Sequence, residues 1–440
     1  MNKIRFAIYG FVSIAVGNAF AGMSFDPAVS GPISMGFLPA DASPLTVPSA
    51  KPVACRRTGS NVQELVFPLE AYRYDSNFNW LGSQTYLVGL ASDGGAGLFV
   101  DAANTTLAHT ADYGNGDIAS SDAFCTNLYV PTGSLRSIRR FDRVPESLRF
   151  SFDASGGRGT ERMSPGFNNT YSVLAGDFDR GGVKNDIVAS LLDPNTYAGS
   201  FFITNNFSAG TDGVDVGPIG TAGFSEMVAA DLFRDGSADD LIASFHGYWI
   251  RIFRGNGDGT HELVNELTPG GVASSLAVGD LNGDGLLDLL VGLYSTSVRI
   301  FLGDGAGNFA QVENHPLAYT SINQFSLVDL DSDGKLDLLG LQYNQVSFIL
   351  DKIVIRGLGN SNFFETTQAV MPTASSNWPM ELLTADVNGD GKQDVVSFEH
   401  DNNLPYPNNS VVVVHLNRST PPTSTPTCCS NGPGRKRRIK

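Results

Sequence analysis

The chain has 440 residues, a formal net charge of −16, 42% apolar residues and 17% charged ones. That apolar fraction supports a sizeable core and excludes a disordered chain, while the acidic balance excludes a nucleic-acid binder, which needs a basic footprint. With 49 glycines and few charges, the chain reads as rich in turns and mainly β.

In chain order, residues 1–21 read as a secretory signal. Lys3 and Arg5 precede the apolar run "FAIYGFVSIAVGNAFA", which ends in the small-x-small pattern Ala19-Phe20-Ala21. The chain is therefore expected to be secreted, to the periplasm, the cell surface or the medium. No later stretch reaches about 18 apolar residues, so the mature chain is expected not to span a membrane. Residues 22–54 carry six prolines and few charges and read as an extended leader.

Residues 55–172 show strand-like runs such as "QTYLVGL" and "SLRFSFD" broken by Gly, Asn and Asp. The stretch "ADYGNGDIAS", 111–120, is a candidate worn copy of a motif that follows. In an exported chain Cys55 and Cys125 are expected to pair, the alternative being two buried thiols. Closing that loop would contribute roughly 4 kcal/mol in the chain-entropy model.

From 173 to 418 the chain repeats. The segments "VLAGDFDRGGVKNDIVAS", "MVAADLFRDGSADDLIAS", "LAVGDLNGDGLLDLLVG", "SLVDLDSDGKLDLLGL" and "LTADVNGDGKQDVVSF" recur about every fifty residues, the length of a four-stranded propeller blade. Between them lie "IRIFRGNGDGTH", "VRIFLGDGAGNF" and "KIVIRGLGNSNF", each a strand followed by a glycine turn. Each unit thus reads as strand, aspartate loop, strand, linker, strand, glycine turn, strand. One unit cannot cover both faces of its sheet; stacking units around an axis can. The expected fold is an all-β propeller of about seven four-stranded blades, six to eight being compatible with the length. The last unit ends at "VVVVHLNRS" without a glycine turn, so ring closure requires an N-terminal strand. Residues 419–440 form a Pro/Thr-rich tail with Cys428, Cys429 and a basic end. It reads as a solvated spacer, with surface attachment or processing as the sharper alternative.

The aspartate loops carry the chemistry. Oxygen side chains fall at offsets 0, 2, 4 and 8 in three of them: Asp280, Asn282, Asp284 and Asp288; Asp329, Asp331, Asp333 and Asp337; Asp386, Asn388, Asp390 and Asp394. Glycine follows at offset 5 and permits the sharp turn. At offset 6, Leu286, Lys335 or Lys392 needs only its backbone oxygen. Alternating short oxygen ligands in a tight loop suit calcium, which takes six to eight oxygens, better than magnesium with its retained waters. The bland alternative is a set of Asp-Gly β-turns. An EF-hand is excluded, because position 12 is Val291, Gly340 or Ser397 rather than Glu and the flanks are strands. About three calcium sites are expected. The other two loops, Asp177, Asp179 and Asp186, and Asp231, Asp235 and Asp239 (or Asp240 in its place), depart from the pattern and read as weak or lost sites. Both carry Arg at offset 3 (Arg180, Arg234), a candidate replacement for the ion.

These "DxNxDGxxD" loops resemble the FG-GAP and VCBS-type repeats of integrin-like β-propellers, over about residues 173–418. The resemblance implies that the twelve side chains at offsets 0 to 8 bind calcium and brace the blade edges. The Phe-Gly and Gly-Ala-Pro words of that family are absent here. Its members include adhesins, lectin-like proteins and non-catalytic parts of enzymes and toxins, so fold does not dictate function.

No nucleophile elbow, HExxH or phosphate loop is present, and the six histidines form no recognisable pair. His261 reads as structural. Trp80, Trp249 and Trp378 are candidate sugar platforms, with packing the default reading; Trp249 reads as core and Trp378 as the best surface candidate. The sequence therefore points to a non-catalytic, calcium-stabilised binding or adhesion module for a surface glycan or extracellular protein. The rivals are a secreted hydrolase or lyase on the same scaffold and an envelope protein tethered by its tail.

Overall fold

The computed structural model describes residues 23–26, 29–32, 42–44 and 51–419, less 78, 96, 110–116, 133–136, 146, 149, 152–168, 193–198, 205–206, 208–213, 221–223, 246–248, 295–296, 319–320, 345–349, 372–376, 402 and 404–409. The signal segment, most of the leader, the tail from 420 with Cys428 and Cys429, and 111–116 of the suggested worn repeat lie outside the described residues.

Seven antiparallel sheets form seven blades. Blade 1 contains Ala42–Pro44, Val53–Arg56, Gln63–Tyr74, Trp80–Ser92 and Leu98–His109. Blade 2 contains Ala119–Ser120, Asn127–Thr132, Ser137–Arg143 and Phe150–Ser151. Blade 3 runs Asn169–Gly176, Asp186–Leu192, Gly199–Thr204 and Val214–Gly220. Blade 4 runs Phe224–Ala230, Asp240–Phe245, Trp249–Gly255 and His261–Leu267. Blade 5 runs Ala273–Gly279, Asp288–Leu293, Ser297–Gly303 and Phe309–Val312. Blade 6 runs Ile322–Val328, Asp337–Tyr343, Leu350–Ile355 and Ala369–Met371. Blade 7 takes Asn377–Ala385, Asp394–Asp401 and Ser410–His415.

Blade 7 gains its fourth strand from the other end of the chain. Val29–Pro32 pairs antiparallel with Val411–Val414, as the missing glycine turn requires. The pairing extends through the Phe25–Asn417 bridge and the Arg418 amide, which donates to the Ser24 carbonyl. The segment read as an extended leader therefore supplies the strand that closes the ring.

The core lies between blades rather than within them. Among the described residues seven apolar clusters occur, one for each seam. Phe67 of blade 1 meets Phe398 of blade 7 edge to face at 5.3 Å, and Phe201 of blade 3 meets Phe253 of blade 4 in the same way at 5.1 Å. Blades 1 and 2 share Val66, Leu87, Leu128 and Phe141; blades 4 and 5 share Ile252, Leu289 and Val291. A sheet covered on both faces needs apolar residues at every position, which is why the second strand of blade 5, "DLLVGL", is buried throughout. The outermost strand of blade 4, "HELVNEL", mixes polar with apolar residues and is largely exposed. Each fully buried Leu, Ile or Phe contributes roughly 1.5–3 kcal/mol, so seven such seams supply most of the cohesion.

Two seams have additional fasteners. A disulfide joins Cys55 of blade 1 to Cys125 in the first loop of blade 2, as the exported-chain reading expects. Between blades 6 and 7 the fully buried Lys352 ammonium donates to Glu399 at 2.5 Å and lies 3.3 Å from His415 Nε2. Burial, then the neighbouring ammonium, hold His415 neutral by pushing its pKa down to about 3.

Candidate metal loops and the axial girdle

Every aspartate loop joins the first strand of its blade to the second. The glycine turn joins the third strand to the fourth, so both lie on the same face of the ring. Left-handed backbone occurs at two loop positions. Offset 5 is Gly285, Gly334 and Gly391, with φ of 80°, 82° and 87°. Offset 3 is also left-handed, which explains Gly283 and Gly389 and leaves Arg180, Arg234 and Ser332 as non-glycine residues there.

The first aspartate organises each turn. Asp280 accepts the Gly283 and Gly285 amides at 2.7 and 2.9 Å; Asp329 accepts Asp333 and Gly334; Asp386 accepts Gly389, Asp390 and Gly391. Asp284, Asp333 and Asp390 then accept the amides of Leu286, Lys335 and Lys392. Asn282 and Asn388 turn their side-chain nitrogens toward Asp284 and Asp390, at 2.9 and 3.1 Å.

The aspartate opening the second strand has a different task. Asp288 is fully buried; one oxygen accepts the Leu281 amide at 3.0 Å, the other the Gly303 amide at 3.1 Å. Asp337 accepts Leu330 and Gly357, and Asp394 accepts Val387 and Asn417. Each of these aspartates latches the loop to the end of the third strand. The approach is so close that a Cβ on Gly303 would lie 2.1 Å from the Leu287 carbonyl, which accounts for glycine at that strand end. Burial, opposed by the amides, raises Asp288 and Asp394 to about 6 and Asp337 to about 7. In blade 4, where Asp239 and Asp240 both stand at the end of the loop, the latch is Asp240: it accepts Leu232 and Gly255.

The loops differ in where their counter-charge lies. Two acidic triads bring ligand oxygens within 4.8 Å of one another, Asp177/Asp179/Asp186 and Asp329/Asp331/Asp333, and each could hold a metal ion. The first is the loop read as a weak or lost site, and its carboxylates converge despite Gly181 at offset 4. Asp177 Oδ1 is shielded from solvent and has no hydrogen-bond partner, which suits a cation. The second triad already meets a cation: Arg356, at the end of the third strand, donates to Asp331 at 2.9 Å and to Asp333 at 2.8 Å.

Arg180 does not neutralise its own loop. It crosses to blade 4, where Nε donates to Asp239 at 3.0 Å and Nη2 to Asp235 at 2.6 Å. These carboxylates raise its pKa further, and its stem lies against Gly257 in the blade 4 glycine turn. Asp231 keeps the turn-organising role by accepting the Asp235 and Gly236 amides. Arg254, the blade 4 counterpart of Arg356, instead lies over the Phe233 ring at 4.9 Å.

A second cluster lies around the axis. In blades 4 to 7 the first strand bulges just before Glu226, Ser275, Gln324 and Glu381, which thus occupy one repeated position. Ser172 is the blade 3 counterpart, because its amide donates to Ser190 as that of Glu226 does to Ser244. Lys51 lies between the Ala42–Pro44 and Val53–Arg56 strands of blade 1 and Asp117 precedes the first strand of blade 2, and the Lys51 amide donates to Asp117 at 3.0 Å. The Lys51 ammonium lies 3.9 Å from Glu226, three blades away, and Glu381 of blade 7 feels the charges of Lys51, Asp117 and Glu226. Non-adjacent blades can meet in this way only at the axis. Burial raises Asp117 and Glu226, and raises Glu381 to about 7. Sequence reasoning missed this girdle, because its residue types differ from blade to blade. A register-equivalent polar position in each first strand is the signal that could have found it.

Histidine 261 is structural as expected, with Nε2 2.9 Å from the Asp239 carbonyl. Trp249 is not core: it is 42% exposed, where the second and third strands of blade 4 meet. Tyr294 and Tyr343 occupy the matching ends of blades 5 and 6, with Tyr294 69% exposed. These strand ends lie on the face opposite the acidic loops. The side chains of Trp80 and Trp378 lie outside what the structure describes. Among the described residues no helix is long and apolar enough to cross a membrane.

The family model described as FG-GAP-like repeat matches residues 231–291 and 280–340. This chain therefore carries FG-GAP-like repeats in a seven-bladed β-propeller. It is similar in fold to BBS1N as solved in complex with ARL6DN. With the crystal soaked with mercury the TM-score is 0.52 at 11% identity, and with lead 0.50 at 10%; each match covers 92% of this chain and 99% of the other. No curated protein matches the chain. At such identities the likeness is one of fold alone.

Proposed function

We propose that this chain is a secreted, calcium-stabilised propeller that binds an extracellular glycan or protein without catalysis. The observation that carries the reading is the repeated acidic loop, built in the same way in successive blades on one face. Calcium would be held by side chains of Asp280, Asn282, Asp284 and Asp288, by Asp329, Asp331, Asp333 and Asp337, and by Asp386, Asn388, Asp390 and Asp394. The backbone oxygens of Leu286, Lys335 and Lys392 would complete the shells, and Asp177, Asp179 and Asp186 would form a further site. The hard oxygen set and the partnerless Asp177 Oδ1 support this. Bound ions would supply charge neutralisation and fasten each loop to its neighbours. The disulfide supports an oxidising compartment. The exposed Trp249, Tyr294 and Tyr343 support ligand capture on the opposite face, since aromatic rings combine apolar area with a polar edge.

The test has two arms. Melting with calcium and with a chelator should show a midpoint that rises with calcium. Screening the full chain against polysaccharides and cell-surface extracts should show saturable binding without product release, weakened in Trp249→Ala. Product release would instead favour the hydrolase or lyase reading. No calcium shift and no bound calcium would reduce the loops to turns.

A further inference from the structure

From the buried cluster between blades 6 and 7 we infer that Lys352 and Glu399 condense into an amide, a covalent cross-link that the folded chain forms by itself. The site is independent of the calcium loops. It would join the third strand of blade 6 to the second strand of blade 7, the blade that the N-terminal strand completes.

Three features point to this reaction. The first is placement. Counted from the latch aspartate, Lys352 corresponds to Ile250 in blade 4, Val298 in blade 5 and Val412 in blade 7. In the same register Glu399 and His415 correspond to Leu293 and Phe301 of blade 5. Among the described residues no other lysine is buried. Apolar residues would hold this seam as well as a buried ion pair does, so cohesion alone does not account for the cluster. The second feature is geometry. The three N–H groups of the Lys352 ammonium meet three acceptors: Glu399 Oε1 at 2.5 Å, His415 Nε2 at 3.3 Å and Ser397 Oγ at 3.4 Å. The Ser397 hydroxyl in turn donates to the same Oε1 at 2.7 Å. The third is burial, which covers all four side chains. In water, ionisation of amine and acid and the excess of water oppose condensation. Burial disfavours both charged forms, lowers the Lys352 pKa and keeps water out. Fixed proximity replaces a bimolecular encounter, with effective molarities of about 10⁵–10⁸ M in well-oriented cases.

The step balances with the groups present. One ammonium proton moves to Oε1 along the shortest hydrogen bond, giving a neutral amine and a carboxylic acid. The nitrogen lone pair attacks the carboxyl carbon and forms the C–N bond. A second N–H proton passes to Ser397 Oγ while the serine proton moves to Oε1, the C–O bond breaks, and Oε1 leaves as water. The third N–H stays on the amide, facing the neutral His415 Nε2.

Tryptic peptide mass spectrometry of the folded full chain, after reduction and denaturation, tests the proposal. The expected product is a branched peptide joining the segment around Lys352 to the segment around Glu399. It should be lighter than the two together by one water, with no cleavage after Lys352. Lys352→Met should abolish it. Ser397→Ala removes the proton relay and should slow its appearance about a hundredfold or more, followed in protein sampled at intervals after synthesis. Cleavage after Lys352, with both segments recovered as separate peptides of full mass, would overturn the proposal. So would a branched peptide that persists in Lys352→Met. The unaltered chain decides the question even if a variant does not fold.

Discussion

Blades 1 and 2 and blades 3 to 7 reach the same architecture by different fastenings. Both regions have apolar seams, but the first pair carries a covalent bridge and no complete aspartate loop. The other five carry loops latched by a buried aspartate, and blades 3 and 4 are also cross-braced by charge. The apolar seam is common to the ring, and the device that holds the blade edges is local. Within the second region the contrast repeats on a smaller scale. The Asp329 triad has Arg356 in contact, whereas the Asp177 triad gives its arginine to the next blade.

The largest effect should come from the covalent fastening. Replacing both Cys55 and Cys125 by Ala should cost about 4 kcal/mol, measured by denaturant unfolding, and to the same extent with calcium or chelator. A calcium-dependent loss would break the distinction between the two regions. Next comes the latch. Asp337→Ala leaves the Leu330 and Gly357 amides without acceptors in a buried seam and should cost roughly 2–4 kcal/mol. Asp280→Ala, at an exposed turn, should cost less in chelator and abolish part of the calcium-induced rise in Tm.

Arg180→Gln should lower Tm by a smaller amount, because it leaves the buried Asp239 without its guanidinium. Hydrogen exchange should speed up at the edges of blades 3 and 4 and not at blade 6, where Arg356 serves. Equal exchange at both seams would remove the inter-blade brace.

The smallest effect is one of pH. Glu381 has its folded pKa raised to about 7, so the folded state holds a proton that the unfolded state has released. Stability from this group is greatest below the unfolded pKa and falls as pH climbs towards 7. Lys51 opposes the rise, and Asp117 and Glu226 reinforce it. Glu381→Gln should flatten the melting midpoint between pH 4.5 and 7.5; an unchanged slope would place that titration elsewhere.

Much of the fold was legible because each blade repeats its own local signals. Glycine at offset 5, the aspartate at the start of the second strand and the unbroken apolar run after it all act within about twenty residues of one another. The absent last turn even announced an N-terminal closing strand, though not its place at Val29–Pro32 in the segment read as a leader. Trp249 was misjudged, since strand alternation alone does not say which strand end meets solvent. Asp239 and Asp240 stayed open as the end of the blade 4 loop for a related reason: two adjacent aspartates share one spacing, and only strand register assigns the latch to Asp240.

By itself the sequence determined the blade period, the number of blades to within one, the acidic loops and the pair of cysteines able to bridge. These follow from short-range patterning, where residue type and spacing act together. Only the tertiary structure decided which cation meets which carboxylate and what lines the axis. Arg180 and Asp235 are 55 residues apart, and Lys51 and Glu226 are separated by three blades of the ring. Electrostatic partners are chosen by distance in space, and ring closure sets that distance.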